Sequence, residues 1–359
     1  MKLHLSRRHF LASTAAASGA LLAGRHGLAQ EQAKVGFVYV GPIGDYGWTH
    51  GHELGREAVA EHFGDQVKTT FVENVAEGPD AERVIRQLAS SGNGLIFTTS
   101  FGFMNPTIRV AKQFPKVMFE HATGYQTAPN VAVYNARFYE GRAVCGAIAG
   151  HVSQSGIVGY IGSFPIPEVV MGINAFTIAM QKVRPDAQVK VVWVNSWYDP
   201  GKEGDAAKAL IDQGADIICQ HTDSPAPLQV AQERGVHGFG QASDMKAYAP
   251  DAQLTAILDD WSDYYVERVQ ALIDGSWETH SVWYGLKEGM VKMAPYGPAV
   301  TEEAKQAAEA TKEGIIAGTL HPFDGPVTNQ AGEVVIAEGE KPADDLLQSM
   351  DWYVQGVQA

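Results

Sequence analysis

Two stretches of the chain set an indole beside polar groups at places where a flat molecule with polar edges would fit. In the first, Val40-Gly41-Pro42-Ile43-Gly44-Asp45-Tyr46-Gly47-Trp48-Thr49-His50 runs into Glu53-Leu54-Gly55-Arg56-Glu57-Ala58-Val59-Ala60. Gly44 and Gly47 admit backbone conformations closed to other residues, Asp45 supplies a carboxylate and Trp48 a broad apolar face. Asp45 reads equally well as the N-cap of the helix that follows. In the second, Val191-Val192-Trp193-Val194-Asn195-Ser196-Trp197-Tyr198-Asp199-Pro200 ends an apolar run, with Trp193 in strand register and Trp197 beyond the strand end. Trp48 and Trp197 are expected to sandwich an aromatic ring, each stack contributing about 1 to 3 kcal/mol by analogy with base stacking.

Further apolar runs end in polar groups. Thr98-Thr99-Ser100-Phe101 brings hydroxyls and an aromatic, Gln220-His221-Thr222-Asp223 an amide, an imidazole and a carboxylate, and Ala242-Ser243-Asp244 a further acid. Leu258-Asp259-Asp260-Trp261 adds two more carboxylates. Any one of these reads as a helix cap; their recurrence, strand after strand, points to a polar-edged crevice. Of catalytic signatures there is no GxSxG, no phosphate-binding GxxxxGK and no HExxH. His50 and His52 are two apart on a helical stretch, so their rings diverge and no metal centre or cofactor is expected.

These residues must be positioned by alternating strands and helices. Strands are expected at 35–40, 68–72, 94–98, 117–121 and 131–134, with helices at 48–63, 80–89, 105–113 and 139–152 between and after them. The alternation restarts with strands at 157–161, 189–194, 216–220, 235–239 and 254–258 and helices at 168–182, 201–213, 227–233 and 263–274. This is a doubly wound α/β pattern given twice, hence two parallel-sheet lobes with loops for binding at the carboxyl ends of the strands. The polar run His151-Val152-Ser153-Gln154-Ser155-Gly156 marks the change of lobe. The expected division is 34–151 plus about 253–276 for the N-terminal lobe and 152–252 plus about 277–359 for the C-terminal lobe. A strand pair is expected over 282–291, a polar helix over 301–310 and a surface tail beyond.

The 359 residues are 45% hydrophobic and 19% charged, globular composition with more chain than one compact core needs. Lys and Arg number 27 against 41 Asp and Glu, a formal net charge of -14, which argues against a nucleic-acid partner. Residues 1–29 read as a removable export signal: Ser6-Arg7-Arg8-His9-Phe10-Leu11 is a twin-arginine pattern, followed by an apolar stretch from Leu11 to Ala23 and the small-residue exit Gly27-Leu28-Ala29. That stretch is short of the ~20 residues of a spanning helix, and no cysteine near its end offers a lipid attachment, so no stable membrane anchor is expected. The mature protein is expected in the periplasm. Cys145 and Cys219 are read as buried free thiols, with one bridge between them as the alternative.

Gly44-Asp45-Tyr46-Gly47-Trp48-Thr49, Phe138-Tyr139-Glu140-Gly141-Arg142, Ile161-Gly162-Ser163-Phe164-Pro165-Ile166-Pro167, Asn195-Ser196-Trp197-Tyr198-Asp199-Pro200, Gln213-Gly214-Ala215-Asp216 and Gly240-Gln241-Ala242-Ser243-Asp244 together resemble the basic-membrane-protein (BMP) branch of periplasmic binding proteins, the purine and nucleoside receptors of ABC importers. The resemblance spans about residues 34–300. It implies a bilobed type I binding-protein fold, a purine held between the lobes by an aromatic pair, and an ABC permease as partner. Nucleoside-binding members carry a lysine in the strand that here ends at Asp259-Asp260, and that acid in its place resembles the branch that takes free bases. Adenine is the favoured ligand, with guanine or hypoxanthine as companions, and Asp260 the expected edge contact, with Asp259 facing elsewhere. The expected ligand set is Trp48, Trp197, Asp260, Asp45, Asn195, Phe101, Gln220 and Asp244; a nucleoside receptor or a periplasmic nucleoside hydrolase is the alternative.

Overall fold

The computed structural model describes residues 32–359, so the expected export signal at 1–29 lies outside the described residues. The first lobe is built from β1 (Ala33–Tyr39), α1 (Gly47–Phe63), β2 (Val67–Val72), α2 (Pro79–Ser90), β3 (Leu95–Thr99), α3 (Met104–Ala111), β4 (Met118–Ala122) and β5 (Val131–Ala136). The second follows with α4 (Phe138–Val152), β6 (Ile157–Gly162), α5 (Pro167–Val183), β7 (Gln188–Trp193), α6 (Pro200–Asp212), β8 (Ile217–His221), α7 (Ala226–Glu233), β9 (His237–Gly240) and β10 (Gln253–Asp259). The chain then alternates between lobes through α8 (Ser262–Asp274), β11 (Ser281–Tyr284), β12 (Val291–Met293) and α9 (Glu302–Ile316). It ends with β13 (Val327–Thr328), β14 (Val334–Ile336), α10 (Asp344–Gln348) and β15 (Val357–Gln358).

The alternation forms two sheets, in the order β11-β5-β4-β3-β1-β2 and β12-β10-β9-β8-β6-β7-β15. Every pairing in the first is parallel; in the second only β12 runs antiparallel, beside β10. Central strands are buried along their length, as the unbroken apolar run Val35-Gly36-Phe37-Val38-Tyr39 requires. Phe37 and Phe97 stack at 4.9 Å across the β1–β3 pair, with Tyr265 of α8 against both. Local chemistry sets the helix starts: Pro79 opens α2 with Asp80 and Glu82 in its first turn, and Asp199 caps α6 by accepting from the Lys202 N–H at 3.1 Å. The bilobed α/β architecture is the one expected from the sequence.

Three boundaries differ from expectation. The chain leaves the first lobe at Arg137, not near 152: α4 is buried from Phe138 to Ala149 and packs against α5, α9, β10 and β12. The polar residues 151–156 are only the turn from α4 into β6, where Asp216 accepts from the Ser153 hydroxyl and from the Gln154 and Ser155 N–H groups. Residues 253–259 belong to the second sheet, paired with β9 and β12, while α8 packs on α1 of the first lobe. The return crossing therefore takes place at Asp260-Trp261, and 282–291 is not a strand pair, because β11 joins the first sheet and β12 the second. The last 40 or so residues are more than a surface tail: Leu347, Met350, Val354 and Val357 are buried and β15 extends the second sheet. Cys145 and Cys219 are both buried and free.

Candidate ligand-binding site

Between the carboxyl ends of the two sheets lies a cavity of about 360 Å³, walled by Val40, Trp48, Ser100 and Phe101 from one lobe and Glu168, Trp197, His221 and Asp223 from the other. Trp48 sits in the first turn of α1, where its Nε1–H donates to the Thr99 carbonyl at 2.7 Å and fixes the ring plane. Trp197 comes from the loop after β7, its ring tilted against Phe164 at 5.3 Å and near His221 at 6.3 Å. The structure thus brings the two sequence-predicted indoles, and Phe101, to one cavity from opposite lobes. Gly47 is required at the start of α1: its φ is +78°, and a Cβ there would lie 2.6 Å from the Asp223 carbonyl oxygen.

Five other predicted residues stand outside that cavity, each for a local reason. Asp260 is half-buried at the crossing between lobes, accepting from Lys292 Nζ at 2.6 Å and from the Ser262 N–H at 3.0 Å. Burial would raise its carboxyl, but these partners outweigh it and hold it below its ordinary value. Its neighbour Asp259 is the inward member of the pair, buried, with neither carboxylate oxygen hydrogen-bonded; successive strand residues face opposite ways, and the register of β10 selects Asp259. Asp45 does not cap α1, whose N-cap is Tyr46; it accepts from the Tyr248 hydroxyl of the other lobe at the rim of the cleft. Asn195 is exposed and takes a left-handed turn with φ +52°, a conformation Asn tolerates. Asp244 is exposed and ties its own loop, accepting from Gln253 Nε2 and the Lys246 N–H. Gln220 is buried beneath the loop it supports, donating from Nε2 to the Thr222 and Ser224 carbonyls at 2.8 Å each.

The predicted set lacks two residues here, His221 at the end of β8 and Asp223 in the loop that follows. Glu203 secures it from below, accepting from the Ser224 N–H and hydroxyl. Asp223 lies against the start of α1, where a Cβ on Gly47 would stand 3.1 Å from its own Cβ, and its N–H donates to the Trp197 carbonyl at 3.0 Å. Burial, with Glu203 and Asp259 nearby, pushes the Asp223 carboxyl up. Glu168, in the first turn of α5, completes the polar wall: His221 Nε2 lies 3.4 Å from its Oε1, while Oε2 is shielded and unpartnered, as is His221 Nδ1. Burial raises Glu168 to about 8 against the pull of Arg142, and burial together with Arg142 holds His221 well below its ordinary value. Near neutrality the wall therefore presents a protonated carboxyl and a neutral imidazole.

Arg142 lies fully buried behind this wall, donating to Cys219 Sγ at 3.4 Å and to Gln241 Oε1, with its Nε unpartnered. Glu168 escaped the sequence reading because an acid just after Pro167 is indistinguishable from an ordinary first-turn residue. In Cys219-Gln220-His221 the alternation of β8 turns Gln220 and His221 to opposite sides, which residue type alone does not resolve.

Other contacts join the lobes at the rim. The Gly47 N–H donates to Ser243 Oγ at 2.7 Å, the Tyr46 and Tyr198 hydroxyls lie 3.3 Å apart, and Tyr46 meets Tyr248 edge to face at 5.2 Å. The lobes are closed on one another.

The family model described as ABC transporter substrate-binding protein PnrA-like (Bmp) matches residues 32–320. A protein of Brucella abortus named as purine-binding is 58% identical over 329 residues, spanning 92% of this chain and 94% of that one. A Haloferax volcanii protein whose name assigns it to an ABC transporter and to glucose is 38% identical over 328 residues, 91% of this chain and 81% of the other. Among solved structures, a solute-binding protein from Aeropyrum pernix superposes with a TM-score of 0.70 at 19% identity, covering 80% of this chain and 92% of that one. One from Conexibacter woesei superposes with 0.63 at 22% identity, covering 80% and 98%. The chain accordingly belongs to the Bmp family, the PnrA-like substrate-binding proteins of ABC transporters.

Proposed function

We propose that this protein is the exported receptor of an ABC importer for purine bases, adenine foremost, and that it acts in the periplasm by closing on the base and presenting the closed form to a membrane permease. The observation that carries the reading is the meeting of Trp48 and Trp197, from opposite lobes, on the cavity that holds Glu168 and His221. Adenine presents an exocyclic amine next to a ring acceptor on one edge. A protonated Glu168 matches that edge, donating its O–H to the ring nitrogen while its second oxygen accepts from the amine. On the N7 edge guanine offers two acceptors, N7 and O6, so one oxygen of Glu168 would face another unpaired there, at a cost of about 1 to 3 kcal/mol. The similarity to a protein named as purine-binding supports the base over a sugar.

Isothermal titration of the mature protein with adenine, guanine, hypoxanthine, adenosine and glucose tests the reading. Adenine is expected to bind most tightly and to be recovered intact on chromatography. Preference for glucose would remove the purine assignment, and conversion of adenosine to free base would make the protein a hydrolase.

A further inference from the structure

Beside the base cavity, and sharing Phe101, Thr123 and Glu168 with it, lies a second cavity of about 620 Å³. Its walls are chiefly apolar: Phe138, Ile166, Met171 and Trp283 enclose it, and Gln348 of α10 stands at its mouth. Of the polar side chains facing it, Thr123, Asn135 and Tyr139 already make hydrogen bonds, and Glu168 belongs to the edge shared with the base cavity. Asn135 Oδ1 accepts from the Ala136 N–H at 2.7 Å, and the Tyr139 hydroxyl accepts from Arg137 Nη1 at 2.8 Å. A ribose there would bury hydroxyls with few free partners, at a net loss, whereas a hydrocarbon or aromatic group would gain from leaving water.

Gln348 is contributed by chain beyond residue 320, where the match to the family model ends. That extension is fastened at the crossing between the lobes. Arg137, the residue at which the chain changes lobe, donates from Nη1 and Nη2 to the two carboxylate oxygens of Asp344 at 3.1 and 2.9 Å and lies over the Trp283 ring at 4.3 Å. Buried Leu347 and Met350 hold α10 down on either side of Gln348.

We propose that the site is built for adenines bearing an apolar substituent on the exocyclic amine, housed in this second cavity with Gln348 as its cover. The inference rests on the purine reading given above. It follows from Glu168 being common to both cavities: a group leaving the edge that Glu168 reads passes directly into the larger one. A singly substituted amine still keeps one N–H for the Glu168 oxygen, so the added group does not disturb the edge contact.

The test is a titration series on the mature protein with adenine, N6-benzyladenine, 9-benzyladenine and adenosine. N6-benzyladenine is expected to bind about tenfold or more tighter than adenine, from burial of six aromatic carbons, and tighter than its 9-benzyl isomer. Gln348→Trp, at an exposed position where folding is insensitive and an unchanged melting temperature verifies it, is expected to lower N6-benzyladenine affinity at least tenfold by filling the mouth. Adenine binding without gain from the N6 group, or equal affinities for the two isomers, overturns the inference and leaves the purine reading standing. Failure of all four ligands to bind overturns both.

Discussion

On the proposed reading, recognition of a flat ligand turns on Trp48 and Trp197, which line one cavity from opposite lobes, and truncating each removes one of its two faces. Trp48→Ala and Trp197→Ala are each expected to weaken adenine binding tenfold or more in calorimetric titration, corresponding to about 1.5 to 3 kcal/mol of lost stacking and burial. Glu168 adds a pH dependence. Its carboxyl is raised to about 8, so the O–H that donates to the base is present at neutral pH and lost above. Adenine affinity is therefore expected to fall as pH rises through about 8, and Glu168→Gln, which keeps a donor at all pH values, to flatten that fall. Asp260→Asn is expected to change adenine affinity less than twofold, because the carboxylate is spent on Lys292 and Ser262 outside the cavity.

At the scale of elements, most of the strands and helices were legible because apolar runs and helical spacing recur cleanly through residues 33–274. The placing of Trp48 and Trp197 at the carboxyl ends of the two sheets was legible too, because each follows an apolar strand run within a few residues of a helix start. What escaped were facts that only pairing decides. Asp259 and Asp260 are equivalent as residue types, and one step of register reverses which faces inward. The crossings at Arg137 and Asp260-Trp261 leave no trace in composition, because α4 is buried on every side and could serve either lobe, and β10 passes to α8 within two residues. Glu140, in the first turn of α4, accepts from the Leu286 N–H at 2.8 Å and so ties two of the crossings together. Burial raises it to about 7. A carboxyl raised in the folded state favours folding in its protonated form, so its contribution is present at acid pH and lost as pH rises through about 7. The melting temperature is expected to decline between about pH 5 and 8, and less steeply in Glu140→Gln, as followed by circular dichroism.

For the molecule as a whole, closure joins the α1 turn of one lobe to the loops after β7, β8 and β9 of the other. Ligand bound between the lobes stabilises the closed, folded form alone. Adenine at a hundredfold excess over its Kd is expected to add about 2.7 kcal/mol and to raise the melting temperature by roughly 2–4 °C, as read by scanning calorimetry. Tyr248→Phe and Ser243→Ala remove rim contacts without touching the cavity, and are expected to speed adenine release in stopped-flow tryptophan fluorescence more than they slow its capture.

Helix α1 begins at Gly47 with no capping side chain of its own. The first of its orphan amides is satisfied instead by the Ser243 hydroxyl from across the cleft. When the lobes part, that terminus loses its borrowed acceptor and its leading amide is left to water, while Trp48 keeps the Thr99 carbonyl of its own lobe. The opening amide of α1 is thus satisfied by the act of shutting, while the indole beside it is held by its own half of the molecule throughout.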